Sequence, residues 1–307
     1  MVSLQVLNMK IILVKPPFLD AYPMLLGPGI YASINDNPPL NLLYLAAPIE
    51  QQGKHDVEVL DANIMGYSMK WTAEVILAKK PDLVGIMAYQ PLLAEAKLLA
   101  QEVRKTDKSI HIVVGGPQVD LYPEQILSWD EIDTVTLKDA EYVFSELVDA
   151  IANKKPLNTV SGLGYKEKDK LIFTSEGSLC LNLDKLPFPN RKLIPYKKYH
   201  TCLCDAPYST VLITSRGCPF QCKFCANSQR RDRNVHYRSV TNVVDEVEKI
   251  LALDIRKIFF YDDSFCFSRN RVLEVCDEII KRKLKKFTFS IKARVNPLDD
   301  EMLIRLK

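Results

Sequence analysis

Cys218, Cys222 and Cys225 stand in the run Ser215-Arg216-Gly217-Cys218-Pro219-Phe220-Gln221-Cys222-Lys223-Phe224-Cys225-Ala226, a CxxxCxxC spacing. The thiolate is the metal-binding form of cysteine. Three thiolates on one loop can hold three irons of a cubane cluster and leave the fourth iron without a protein ligand. Structural zinc is a competing reading, but it takes four ligands, often as two CxxC knuckles. No second knuckle lies nearby, and His236 is the only close histidine. A ferredoxin-type cluster needs a fourth cysteine, which Cys202, Cys204 or Cys266 can supply. Three buried apolar thiols brought together by chance is a further alternative. Gly217 can take the positive φ that a cluster loop needs, and Pro219 fixes a turn. The remaining cysteines, Cys180, Cys202, Cys204, Cys266 and Cys276, share no metal-like spacing, and Cys202-x-Cys204 is their only close pair.

The elements around this loop must aim it. VLIT (Val211–Thr214) reads as a short strand running into the cysteines. Thr241 can cap a helix over Val243–Leu253, with Asp245, Glu246 and Glu248 in its early turns. KIFFY (Lys257–Tyr261) is a second strand, ending in Asp262-Asp263-Ser264-Phe265. These two carboxylates either cap a strand-ending turn or accept from an ammonium group. Arg269–Arg282 is helical, and FTFSIK (Phe287–Lys292) is a third strand with Arg294 just past its carboxyl end. A helix over Asp299–Lys307 follows. Arg294 serves equally as a solvated cation.

The first half alternates strands and helices. Strands are expected at Lys10–Val14, Val57–Leu60, Leu83–Met87, Ile110–Val114 and Ile132–Leu137. Helices are expected over LNLLYLAAPIEQQ, ended by Gly53, and over Ser68–Ala78, Leu92–Arg104 and Glu141–Ala152. Such alternation implies βαβ units and a parallel sheet, covered on both faces where strands are continuously apolar. Ligands of these folds bind beyond the carboxyl ends of the strands. Those ends carry Lys15-Pro16-Pro17, Asp61-Ala62-Asn63, Ala88-Tyr89-Gln90 and Gly115-Gly116-Pro117. Gly115 and Gly116 either let backbone approach a bulky ligand or turn the chain. A GxGxxG dinucleotide fingerprint is absent. Between the halves, Gly164-Tyr165 and Leu171-Ile172-Phe173 flank a polar Lys168-Asp169-Lys170, the pattern of a β-hairpin, and Leu186-Pro187-Phe188-Pro189 is an extended link.

A length of 307 residues suggests two domains. The expected division is 1–152 as an α/β domain, 153–207 as a linker with a small hairpin, and 208–307 as the cysteine-bearing domain. A net charge of +3 is too small to argue for nucleic acid. The basic runs Lys281–Lys286 and Arg230–Arg233 read as solvated segments, the second also as an anion contact. No stretch reaches the roughly 18 apolar residues of a membrane span. Met1–Lys10 lacks signal-peptide order. The cytoplasm is therefore the expected compartment, where eight cysteines suit metal ligation and burial better than disulfides.

Taken together, the second half resembles the radical S-adenosylmethionine superfamily, whose signature is CxxxCxΦC with Φ aromatic; Phe224 fills Φ, and Arg216-Gly217 precedes the first cysteine as in the common form. The first half, through PPLNLLYLAAPIEQQGKHDVEVLDAN, PDLVGI and VVGGPQV, resembles the cobalamin-binding domain that precedes many such enzymes. The resemblance implies a Rossmann-like parallel sheet followed by an incomplete (βα) partial barrel. It implies a [4Fe-4S] cluster on Cys218, Cys222 and Cys225 that chelates S-adenosylmethionine and yields a 5′-deoxyadenosyl radical. Methyl transfer or another radical rearrangement of a small-molecule substrate would follow, with electrons from a donor such as ferredoxin or flavodoxin. Phe224, Asp262, Asp263 and Arg294 become cofactor contacts, and Gly115 and Gly116 the cobalamin edge. The chain departs from the family's DxHxxG and SxL, since KPPFLDAY carries no histidine and Met87-Ala88-Tyr89 stands for SxL. That excludes a histidine ligand to cobalt from this loop, and not cobalamin itself. Three βα units, near residues 211, 257 and 287, stand against six in the superfamily barrel. A fragment, a split subunit with a completing partner, or a non-catalytic corrinoid and iron–sulfur module is the alternative expectation.

Overall fold

The first strand, β1 (Lys10–Lys15), is buried along its length except at Lys10, as an apolar run covered on both faces must be. The computed structural model describes residues 8–18, 37–89, 92–168, 170–177, 180–200, 206–225, 234–296 and 298–307. The chain forms two compact units. One is built mainly from Pro39–Cys180 with Pro187–Ile194, the other from Leu181–Leu186 with Pro195–Lys307.

In the first unit β1 is followed by α1 (Leu40–Gln52), β2 (Asp56–Asp61), α2 (Met69–Ala78), β3 (Leu83–Met87), α3 (Leu93–Thr106) and β4 (His111–Gly115). Short helices α4 (Pro117–Leu121) and α5 (Pro123–Leu127), then β5 (Thr134–Thr136) and α6 (Ala140–Ala152), follow. The hairpin β6 (Leu163–Glu167) and β7 (Lys170–Phe173) completes it. Local signals act where expected. Gly53 takes φ 64° and closes α1 by donating its N–H to the Ile49 carbonyl. The Ser68 hydroxyl caps α2 by accepting from the Trp71 N–H.

The sheet runs β2-β1-β3-β4-β5-β6-β7. Strands β1 to β5 are parallel, and β6 and β7 join antiparallel. The hairpin expected in a linker is thus part of the sheet, because Thr134, Val135 and Thr136 pair with Tyr165, Gly164 and Leu163. The strand order reverses between β1 and β3, which opens a crevice at their carboxyl ends. A buried ion pair stands beside that crevice: the Lys15 Nζ lies 3.0 Å from the Asp61 Oδ2, at the paired ends of β1 and β2. Ile12, Val14, Val84, Ile86, Ile112 and Val114 supply one core face, against Ile76, Leu99 and Val103 of α2 and α3.

The second unit holds β8 (Ser209–Leu212), β9 (Ser215–Arg216), β10 (His236–Tyr237), α7 (Val240–Leu251), β11 (Lys257–Phe260), α8 (Arg269–Lys281), β12 (Thr288–Ile291) and α9 (Asp300–Leu306). Three parallel strands are ordered β12-β11-β8. Their core packs Leu212, Ile258 and Phe260 against Val243, Val247 and Ile250 of α7 and Val272 and Val275 of α8. Helix α7 begins earlier than expected. Its cap is Ser239, accepting from the Asn242 N–H, and not Thr241. Glu246, in the early turns of this helix, is buried against Arg238, with Nη1 and Oε2 2.5 Å apart.

Candidate functional site

Because β8, β11 and β12 are parallel and Phe260 is in register with both Leu212 and Ile291, their carboxyl ends share one edge. Thr214, Asp262 and Arg294 leave the sheet there. The chain turns after β8 into β9, which pairs antiparallel with β10 through Ser215 opposite Tyr237 and Arg216 opposite His236. The described residues 217–225 therefore form an excursion that leaves from a two-stranded base. Gly217 sits where the two sides cross, with φ +99°, and a Cβ there would meet the Asn234 carbonyl oxygen at 2.1 Å. Only glycine fits this crossing.

Cys218, Cys222 and Cys225 lie on the excursion as half-buried cysteines outside any disulfide. The Cys225 N–H donates to the Cys222 carbonyl at 3.0 Å, a tight turn inside the motif. Phe224, between them, is 94% exposed, so simple packing does not account for it. The Arg294 Nη1 reaches within 3.1 Å of the Cys222 Sγ, and its guanidinium lies 4.1 Å from the centroid of the Phe220 ring. Phe220 in turn meets Phe267 edge to face at 5.7 Å. At the same edge the Lys292 Nζ sits 3.3 Å over the Tyr261 ring.

The two aspartates part ways. Asp263 is exposed. Asp262 is buried and turns inward, accepting from the Thr214 N–H (2.6 Å) and Oγ1 (2.5 Å) and from the Ser215 N–H (3.3 Å) and Oγ (2.8 Å). Burial pushes its carboxyl up from the ordinary carboxylate range, and these four hydrogen bonds oppose the shift. Arg238 and Arg271 reinforce the same base. Arg238 donates its N–H to the Thr214 carbonyl at 2.9 Å and its Nη1 to the Ile213 carbonyl at 2.7 Å. Arg271 donates Nη2 to the Thr214 carbonyl at 3.2 Å and lies 4.9 Å over the Tyr237 ring. Sequence reasoning missed Arg238, Glu246 and Arg271. One signal was available: Glu246 falls on the apolar stripe Val243, Val247, Ile250 of α7, where a charge needs a buried partner.

Among the described residues, no three histidine, cysteine or acidic side chains converge as around one ion. The donor set instead suits a sulfide-bridged cluster, whose separate irons each take one thiolate. Cys266 and Cys276 belong to the core, where burial pushes both thiols up to about 11. Cys202, Cys204 and the basic run Arg230–Arg233 lie outside the described residues.

In the first unit, Gly115 and Gly116 end β4 beside the end of β3. A Cβ on Gly115 would meet the Thr136 Oγ1 at 2.5 Å, and one on Gly116, at φ +127°, the Ala88 carbonyl oxygen at 2.3 Å. The glycine pair is thus already required by packing within the protein. It also leaves the β4 end flush with backbone, next to the crevice between β1 and β3. Leu19–Tyr22 and Gln90 of the neighbouring strand ends lie outside the described residues.

Comparison with known proteins adds to this geometry. Residues 32–148 match the B12 binding domain model, and residues 212–307 match the Radical SAM superfamily model. An uncharacterized methyltransferase of Pyrococcus horikoshii is 31% identical over 303 residues, 97% of this chain and 63% of that protein. The anaerobic magnesium-protoporphyrin IX monomethyl ester cyclase of Rubrivivax gelatinosus is 29% identical over 276 residues, 88% of this chain and 49% of that protein. Among solved structures, the radical S-adenosylmethionine methyltransferase TsrM from Kitasatospora setae, with cobalamin and a [4Fe-4S] cluster bound, superposes with TM-score 0.76 at 19% identity. That match covers 97% of this chain and 58% of TsrM. The cobalamin-dependent S-adenosylmethionine radical enzyme OxsB gives TM-score 0.76 at 18% identity, over 96% of this chain and 40% of OxsB. These likenesses carry the fold. The chain spans between about half and two thirds of the length of these curated relatives.

Proposed function

We propose that this chain, a radical SAM superfamily member with a B12-binding domain ahead of its radical SAM segment, serves a cobalamin-dependent radical SAM enzyme. The reaction is methyl transfer or another radical rearrangement of a small organic molecule. The observation that carries this reading is the CxxxCxxC excursion, tied at its base to a parallel sheet edge and met by Arg294.

Cys218, Cys222 and Cys225 would hold the cluster. When bound, the cluster supplies the electron for carbon–sulfur cleavage of S-adenosylmethionine at its open iron, and cobalamin supplies a methyl carrier. The protein's own residues do the positioning. Gly217 lets the excursion close on Asn234. Arg294 places a cation beside Cys222, where it offsets thiolate charge. Phe224 offers an exposed aromatic face for adenine, and Asp263 an exposed carboxylate for the methionine ammonium group. In the first unit, the crevice between β1 and β3, bordered by Gly115 and Gly116, would receive the corrinoid. A cytoplasmic setting, a ferredoxin- or flavodoxin-like donor, and a barrel completed by further sequence or by another subunit complete the proposal. No described helix is long and apolar enough to cross a membrane.

Anaerobic reconstitution with iron and sulfide tests the reading. The expected result is roughly four irons per chain, an electron paramagnetic resonance spectrum that changes on adding S-adenosylmethionine, and 5′-deoxyadenosine release. Iron uptake that survives simultaneous Cys218→Ala, Cys222→Ala and Cys225→Ala would refute it. Cobalt retained after incubation with cobalamin and gel filtration tests the first unit separately.

A further inference from the structure

We propose that Asp262 is the positioning residue of the cysteine loop: its buried carboxylate locks Thr214 and Ser215, and so sets where the loop leaves the sheet. The cluster-bearing role of that loop rests on the function proposed above; the lock itself does not. An ionised carboxylate has about four lone-pair directions, and the four donors from Thr214 and Ser215 fill them. With 1% of its surface exposed, Asp262 has neither an acceptor site nor a face to offer a ligand. Its partners, by contrast, are the two residues from which the excursion departs.

The surroundings fit a lock. Two backbone N–H groups aimed at one oxygen and two hydroxyls at the other define a single orientation of the 213–216 backbone. The Thr214 carbonyl, on the opposite side of the same residue, accepts from the Arg238 N–H and the Arg271 Nη2. Arg238 follows directly on β10, so both sides of the two-stranded base are fixed to one point. Arg238 is held in turn by Glu246 at 2.5 Å and by the Asn242 Oδ1 at 2.7 Å. Gly217 and Cys218 follow Thr214 by three and four residues, and Asn234, which Gly217 crosses, precedes Arg238 by four. A shift at Thr214 therefore displaces the first thiol directly.

Amide hydrogen exchange on the cluster-free full chain tests the lock without requiring iron. In Asp262→Ala, exchange at Thr214, Ser215 and Arg238 should quicken by about tenfold or more, as expected for lost hydrogen bonds to a charged group, while α8 keeps its protection. After reconstitution this variant should take up less iron. Asp262→Asn should restore both protection and iron uptake. Its carboxamide oxygen can accept the two backbone N–H groups, and its NH₂ can donate to the two hydroxyl oxygens after they rotate. It should also keep the spectral response to S-adenosylmethionine. Unchanged exchange in Asp262→Ala overturns the proposal. So does Asp262→Asn with intact protection and iron but no response to S-adenosylmethionine, the signature of a cofactor contact. Should Asp262→Ala fail to fold, the double substitution Thr214→Val, Ser215→Ala removes only the hydroxyl half of the lock. It should then show a smaller quickening at the same amides, and normal exchange there overturns the lock. A wild-type protein that takes up no iron refutes the cluster assignment, and the exchange measurements still decide the lock.

Discussion

The Arg294 guanidinium lies 3.1 Å from the Cys222 Sγ although 72 residues separate them in sequence. It also covers the Phe220 ring of the same loop. A strand end on the far side of the three-stranded sheet thus contributes the cation nearest to one of the three motif thiols among the described contacts.

A positive charge beside a thiolate ligand favours the reduced, more negative cluster. Arg294→Gln should therefore lower the reduction potential of the reconstituted protein by tens of millivolts, where about 59 mV is tenfold for one electron. Arg294→Lys should recover part of the loss. Redox titration followed by electron paramagnetic resonance measures it, and an unchanged potential in Arg294→Gln would count against a role at Cys222.

Thiol reactivity should sort the cysteines. Cys218, Cys222 and Cys225 are half-buried, whereas Cys266 and Cys276 lie in the core with their thiols pushed up to about 11. At pH 8 such core thiols are ionised to roughly one part in a thousand. Mass spectrometry after brief alkylation of the cluster-free protein should find the motif cysteines modified and Cys266 and Cys276 spared. Reconstitution before alkylation should protect the motif cysteines.

Gly217→Ala should damage the loop more than the sheet. The left-handed φ of +99° costs a side-chain-bearing residue about 1–3 kcal/mol, and the Asn234 oxygen at 2.1 Å adds a clash. The expected outcome is reduced iron uptake with near-normal circular dichroism. Full iron uptake would show that the β9–β10 base opens freely.

His111, at the start of β4, is held below the ordinary imidazole range, first by burial and then by Arg104, against an opposing pull from Asp133. Its depressed folded-state value means the unfolded chain takes the proton first. The stabilising contribution is present above the unfolded value of about 6.5 and is lost as pH falls through it toward the lower folded value. Thermal unfolding between pH 7.5 and 5 should thus show a steeper loss for the wild type than for His111→Gln. Parallel pH profiles would contradict this.

The turn at Gly217 and the strands and helices around the cysteine loop were legible in the chain because each is a local pattern. A glycine at a crossing and apolar periodicity are both written in adjacent residues. The α7 cap slipped from Thr241 to Ser239 because both are competent caps two residues apart, and only Ser239 precedes the observed first turn. The β6–β7 hairpin read correctly as a hairpin, but its pairing with β5 depends on edges that a local pattern does not name.

The adjacent pair Asp262 and Asp263 marks the boundary most sharply. By itself the sequence determined that two carboxylates end β11 beside a three-cysteine loop. Only the tertiary structure decided which one faces inward. Successive residues leaving a strand point to opposite sides, so the choice follows from how β11 sits against β8. Once Phe260 is in register with Leu212, Asp262 falls on Thr214 and Ser215, 48 and 47 residues earlier, and Asp263 lies on the exposed side. Contacts of that separation exist only after the sheet has formed, so no spacing rule along the chain could have named them.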